Sequence, residues 1–349
     1  MEIYVYNSDI ELKGVIDSFA SLRWRRRFFE PGEVELHLPA TTESIAMLTE
    51  GGILHRLDRR EAAVIEGIAV SGGENGDELT VTARMGSCLL SRRIVTPTFS
   101  FTGTVEEAMR RLVSDNAITA RPIPGLALGD ARGYAEACDF QATYKTVLTV
   151  LGALARSAPL GFTCRLDVPG KAWVFEVYRG TDRTVTQSAL PYVLFSAEFG
   201  NIAEPQYTLN SQGYANFAYV GGAGEGSSRT IVQVDRTNGA PRRELWVDAK
   251  DLQKGSLTTQ KYQDQLTQRG LEKLAAAAMT QSFEAAAVDT ANFAYLTDWD
   301  LGDIVSFEKW GILLNQRITE AEEVYEGGTE TITAVCGTPL PETLIFGSD

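Results

Sequence analysis

Apolar side chains recur at every second position through much of residues 1–98, the spacing of strands with one buried face. Leu22, Trp24, Arg26 and Phe28 share one face and Arg23, Arg25 and Arg27 the other, before Glu30-Pro31-Gly32-Glu33 turns the chain. Val34, Leu36 and Leu38 then alternate with Glu33, Glu35 and His37 up to Pro39, which lacks the amide that a ladder needs. Ala40 to Thr49 reads as a short helix, and Gly51-Gly52 leads into a strand over Ile53 to Leu57. Ala62 to Val70 and Glu78 to Ala83 form a hairpin around a turn at 71–77. This run of strands predicts a small barrel or sandwich over residues 1–98.

The period changes in residues 99–192. Thr104-Val105-Glu106-Glu107 has the pattern of a capping box, with Ala108, Leu112 and Val113 following at helical spacing. A second helix, about Tyr144 to Arg156, carries Val147, Leu148, Leu151 and Leu154 on one face and is stopped by Pro159 and Gly161. Phe162 to Leu166 and Ala172 to Tyr178 form a hairpin, so this segment reads as a small α+β domain. Residues 193–349 mix strands with a long helix, about 258–282, along which lie Tyr262, Leu266, Leu274 and Ala278. Within it Gly270 weakens the helix by about 1 kcal/mol relative to Ala, which predicts a bend or close packing there. A meander follows. Asp298 to Asp303 form a turn in which Gly302 adopts positive φ and the Asp side chains, Asp300 and Asp303 among them, bond local amides. The chain resumes with Ile304, Val305 and Phe307, returns through Ile312 to Ile318, and closes with a strand over Glu330 to Val335. The class is therefore α+β, mainly β.

Composition narrows the function. The 349 residues have room for two or three domains, each with its own core. No apolar stretch approaches the roughly 20 residues that cross a bilayer. The N-terminus starts directly as a strand with no basic region ahead of it, so the expectation is no secretion signal and assembly in a cytoplasm. A net charge of −14 argues against a protein that neutralises phosphates along nucleic acid. Cys88, Cys138, Cys164 and Cys336 contain no C-x-x-C pair, and His37 and His55 are the only histidines. Buried thiols are expected, with no metal and no cofactor.

Several constellations have a chemical and a plain reading. Gly221-Gly222-Ala223-Gly224-Glu225-Gly226 looks like a phosphate loop, yet it leads to a strand at Thr230 to Val234 and not to a helix N-terminus, so a mobile hairpin loop is expected. The stretch Trp24 to Phe29 could clamp single-stranded nucleic acid, but Arg23, Arg25 and Arg27 on one strand face of an acidic chain fit ion pairs better, intersubunit pairs above all. Asp298, Asp300 and Asp303 lack the acidic ladder of an oxygen-ligand cation site. Glu320, Glu322, Glu323 and Glu326 are expected on a solvated strand face. There is no H-E-x-x-H and no G-x-S-x-G, so no catalytic residue is assigned and no enzyme is expected.

Leu22-Arg23-Trp24 with Phe29-Glu30-Pro31-Gly32-Glu33-Val34-Glu35-Leu36, the segment Arg92-Arg93-Ile94, and Trp299-Asp300-Leu301-Gly302-Asp303-Ile304-Val305 together resemble the hub at the tip of a bacteriophage tail. The chain is similar over its whole length to siphophage and prophage tail proteins related to the N-terminal module of tail-associated lysins. The resemblance implies two β-barrel-like, tail-tube-type domains, residues 1–98 and 193–349, with the smaller α+β domain 99–192 between them. It implies a homotrimer forming a pseudo-sixfold ring at the virion tail tip. Its expected partners are the tail tube, distal tail, tape measure and tail fibre or receptor-binding proteins, and DNA passes through without specific binding. It brings no catalytic residues, and the short tail beyond Gly337 suggests that any cell-wall hydrolysis comes from another protein. The alternative is a receptor- or carbohydrate-binding module of the same apparatus, with Trp173, Trp246 and Trp310 as stacking platforms.

Overall fold

The computed structural model describes residues 1–73, 76–287 and 293–337. The expected short tail beyond Gly337 lies outside these residues. In the first segment the strands are β1 (Ile3–Tyr6), β2 (Leu12–Ile16), β3 (Ser21–Arg27) and β4 (Glu33–Pro39), then helix α1 (Thr42–Met47), β5 (Ile53–His55), β6 (Ala62–Gly73) and β7 (Gly76–Met85). Alternation builds their core: Leu22, Trp24, Val34, Leu36, Leu79 and Val81 all point inward and are buried. β5 stops at His55, short of Leu57, because Arg56 leaves the ladder to enter the ionic network described below.

In the second segment, β8 (Phe99–Thr104) runs into α2 (Val105–Val113), followed by β9 (Leu126–Leu128), β10 (Ala137–Ala142), α3 (Val147–Ser157), β11 (Gly161–Asp167) and β12 (Ala172–Tyr178). The capping box is present: the Glu107 amide donates to Thr104 Oγ1 at 3.3 Å, and the Thr104 amide donates to Glu107 Oε2 at 3.1 Å. Val147, Leu151 and Leu154 of α3 pack with Leu112 of α2 and with Phe162 and Phe175 of the hairpin.

The third segment contains β13 (Leu194–Ser196), β14 (Ile202–Asn210), β15 (Phe217–Gly221), β16 (Ile231–Asp235), β17 (Glu244–Asp248), α4 (Thr259–Ala276), β18 (Thr280–Ala287), β19 (Ile304–Lys309), β20 (Ile312–Glu326) and β21 (Thr329–Gly337). Two cores arise here. One lies under the meander around Phe195, Trp299, Phe307 and Phe283; the other joins α4 to the small sheet β16-β15-β17. α4 ends at Ala276 and not near 282, because residues 280–287 pair as β18 between β14 and β21. Sheet pairing there overrides the helix propensity of the alanine run. At Gly270 the packing is close: a Cβ would meet Val234 Cγ2 at 2.6 Å and Val220 Cγ2 at 2.8 Å.

The fold is mainly β, with 45% strand against 18% helix, and no closed barrel is present among the described residues. A 13-stranded sheet runs β14-β18-β21-β20-β3-β4-β7-β6-β5-β1-β2, with β13 and β19 off that path, so among the described residues β14 and β2 are its open edges. Its central seam, β20 against β3, joins the first and third segments in one sheet. The expected two barrel-like units are not seen as closed barrels among the described residues, where the strand order is open at both ends.

Candidate assembly face and its buried support

The period of 2 gives β3 two chemically different faces, and pairing on both sides decides what each one meets. Register places Arg27 and Arg25 opposite Glu320 and Glu322 of β20, while Arg25 and Arg23 lie opposite Glu33 and Glu35 of β4. Arg25 Nη2 sits 3.0 Å from Glu322, Arg23 Nε 3.1 Å from the same carboxylate, and Arg27 Nη1 2.9 Å from Glu33. Farther across the sheet Arg84 of β7 pairs with Glu66 of β6 at 2.5 Å. The outer face thus carries acidic, basic and acidic rows on β20, β3 and β4, extended by the single Arg84–Glu66 pair on β7 and β6. A depression of about 300 Å³ lies over it, lined by Arg23, Arg25, Glu33, Glu66 and Arg84. Charges in such a lattice are largely spent on one another within the chain.

The inner face of β3 carries one charge, Arg26, only 4% exposed. Its guanidinium donates to Glu61 at 3.1 and 2.7 Å, to Asp300 Oδ1 at 2.6 Å and to the Tyr295 hydroxyl at 2.9 Å. One strand away, Glu323 is fully buried. Arg56 Nη1 donates to it at 2.7 Å and Arg59 Nε at 2.9 Å, while Arg56 also stacks over Trp24 and Tyr325. Burial pushes the Glu323 carboxyl up, but the Arg59 hydrogen bond and the Arg56 charge outweigh it and hold the group below the usual glutamate range. The expectation that Glu323 shares a solvated face with Glu320 and Glu322 is corrected. Register puts it opposite Trp24, with Ala321 opposite Arg26, so period 2 carries it inward.

The turn that the sequence singled out closes this network. Gly302 has φ +95°. The Asp300 amide donates to Asp303 Oδ2 at 3.1 Å, and Asp303 Oδ1 accepts from the Thr181 amide at 2.7 Å. Burial pushes the Asp303 carboxyl up despite those bonds and Arg183 at 3.3 Å. Asp300 and Asp303 line a polar cleft of about 370 Å³ with Arg26, Arg60, Glu176 and Arg179, where all three segments meet.

The other singled-out residues sit apart. The glycine loop links β15 to β16 without opening an α-helix, and is pinned by the Ala223 amide on the Tyr262 hydroxyl at 2.7 Å and by Arg229 Nε on the Gly222 carbonyl at 2.8 Å. His37 lies between Glu35 and Glu78, 2.8 Å from each, and His55 is buried beside the Arg59 carbonyl. All four cysteines are buried free thiols. No group of three or more His, Cys, Asp or Glu is placed to hold a metal ion among the described residues. Likewise, no helix there is long and apolar enough to cross a membrane. Trp173 is a core residue, 4% exposed, and cannot stack on a ligand, whereas Trp246 and Trp310 are 52% and 59% exposed. Sequence reasoning missed the set Arg56, Arg59, Glu61 and Glu323. For Glu323 the signal was present, since it alternates with Glu322 and shares its period with Ala321.

This architecture is that of prophage tail proteins. A tail protein of the Listeria monocytogenes EGD-e prophage, gp18, superposes with a TM-score of 0.58 at 12% identity, covering 98% of this chain and 96% of that one. The 43 kDa tail protein of prophage MuSo2 from Shewanella oneidensis gives 0.59 at 12%, covering 97% and 99%. A tail protein from Neisseria meningitidis MC58 gives 0.59 at 13%, covering 97% and 95%. At these identities the likeness establishes the fold. A family model described as siphovirus ReqiPepy6 Gp37-like protein matches residues 2–338, and the chain belongs to that family. The resemblance to siphophage and prophage tail proteins is thereby shown. No curated protein matches the chain.

Proposed function

We propose that this protein is a non-enzymatic hub of the phage tail tip, three copies of which form a ring that joins the tail tube to the distal tip and lines the DNA exit channel. The observation that carries the proposal is full-length correspondence with prophage tail proteins, in which 95% or more of either chain is matched. The segments 1–98 and 193–349 supply two strand-rich units per chain, so three chains present six to a sixfold tube, while 99–192 lies peripherally. Ring closure would also cover the open edges β14 and β2. In this assembly Arg23, Arg25 and Arg27 would exchange part of their internal pairing for contacts with a neighbour. Three chains of −14 give a ring of −42, and an acidic lumen would let DNA slide without phosphate contacts. Tube, tape measure and fibre proteins are the partners this position requires.

Mass measurement in solution tests the proposal. A stable trimer, or one that forms when tail-tube protein is added, is the expected result, and a monomer under both conditions overturns the ring. Labelled particles viewed by electron microscopy should carry the label at the tail end; a ring structure with a basic lumen would remove the sliding argument.

A further inference from the structure

The small sheet β16-β15-β17 uses one face to cover α4, through Ala218, Val220, Val234 and Val247. Strand alternation therefore turns Tyr219, Gln233 and Trp246 to the opposite face, where they sit side by side in register across the three strands. Trp246 does not stand up from the sheet. Its Cη2 lies 2.6 Å from where a Cβ of Gly221 would be, with the Arg229 guanidinium 2.7 Å from the same point, so the indole lies low over the strand beside Arg229 with half of its surface open. Beside it Arg242 clamps the Tyr219 hydroxyl at 2.7 Å.

The charge around this platform is cancelled locally. Arg242 pairs with Glu244 at 2.8 Å, and Arg229, stacked 5.0 Å from the Trp246 ring centre, pairs with Asp248. Gln233 is exposed, and its side-chain amide has no hydrogen-bond partner among the described residues. A flat aromatic surface with a free amide and neutralised arginines is matched to a ligand with an apolar C–H face and uncharged hydroxyls. It is poorly matched to phosphate polymers, which need unpaired cations.

We infer that this face binds a neutral polysaccharide chain, one sugar ring stacking on Trp246 and its hydroxyls bonding Gln233. The inference rests on the tail-protein reading only for the source of the glycan, a host surface. A monomer that binds sugar would overturn the ring and keep this site; a trimer that does not would do the reverse.

The test is titration of the intact protein, by calorimetry and tryptophan emission, with neutral hexasaccharides of glucose, galactose and N-acetylglucosamine, and with polygalacturonate as the anionic comparison. Saturable binding of at least one neutral sugar is expected, with Trp246→Ala weakening it by about tenfold. Gln233→Ala, at an exposed position with no internal bond, should weaken binding a few-fold and provides a second readout if Trp246→Ala perturbs the fold. No binding by any neutral sugar, binding only of the anionic polymer, or binding undiminished in both site variants overturns the inference.

Discussion

At position 323 a carboxylate of a strongly acidic chain is withdrawn from water and given to two arginines, and its neighbour at 322 is left on the surface. The two should answer differently to the same change. Glu323→Gln leaves Arg56 and Arg59 with only the largely exposed Asp58, 2.8 and 2.9 Å away, as their anion, and is expected to cost about 3 kcal/mol in urea unfolding, the low end for breaking a buried pair, because one carboxylate then serves two buried guanidinium groups. Glu322→Gln, on a partly exposed pair, should cost below about 1 kcal/mol. Equal losses would mean that the inner network carries no special weight. The same carboxyl sets an acid limit. Its folded value lies below its unfolded one, so its contribution is complete above the unfolded value near 4.5 and disappears as pH falls through the folded value. Denaturation midpoints should therefore drop steeply below about pH 4.5, and less steeply in Glu323→Gln; parallel profiles would assign the acid sensitivity elsewhere. His37 acts in the other direction. Hydrogen bonds to Glu35 and Glu78 raise it, so its stabilisation is complete below about 6.5 and is lost as pH rises through the folded value.

Local elements were legible where the signal is local. The Thr104 capping box, the Pro31-Gly32 turn, the Gly302 turn and the hairpin of β11 and β12 all follow from a few adjacent residues, and each forms within a residue or two of its expected place. The end of α4 was not legible, since Ala275 to Ala278 favour helix and only the distant partners β14 and β21 recruit 280–287 as a strand. The separate core around α4 was hidden for the same reason, and with it the aromatic face of β15, β16 and β17. Gly270 lies between these cases: its cost to the helix was evident, while its compensation is a close approach to Val220 and Val234. Gly270→Ala should gain about 1 kcal/mol of helix propensity yet lose about 1–3 kcal/mol to overpacking, for a net fall in thermal stability. A rise in the melting temperature would show that the helix can move off the sheet freely.

For the whole molecule the decisive contact is the pairing of β3 with β20, nearly 300 residues away in sequence, and no local pattern could have announced it. This seam makes the first and third segments mutually dependent. Cut off at residue 98, the first segment would expose the β3 edge, strip Asp300 and Tyr295 from Arg26, and leave Arg56 and Arg59 without Glu323. It would also uncover Tyr6, Leu89, Leu90 and Val95, which pack into the core of the second segment. Arg26 would keep only Glu61, and Arg56 and Arg59 only Asp58; these depleted ion pairs and a bare apolar edge each work against folding, and a fragment this small has little surplus stability to absorb them. Residues 1–98 produced alone should therefore give a poorly dispersed amide spectrum and no cooperative melt, and production together with the remainder of the chain should restore both. A fragment that melts cooperatively by itself would show that the seam merely docks two independent units. The long sheet would then be a consequence of the fold and not the basis of its stability.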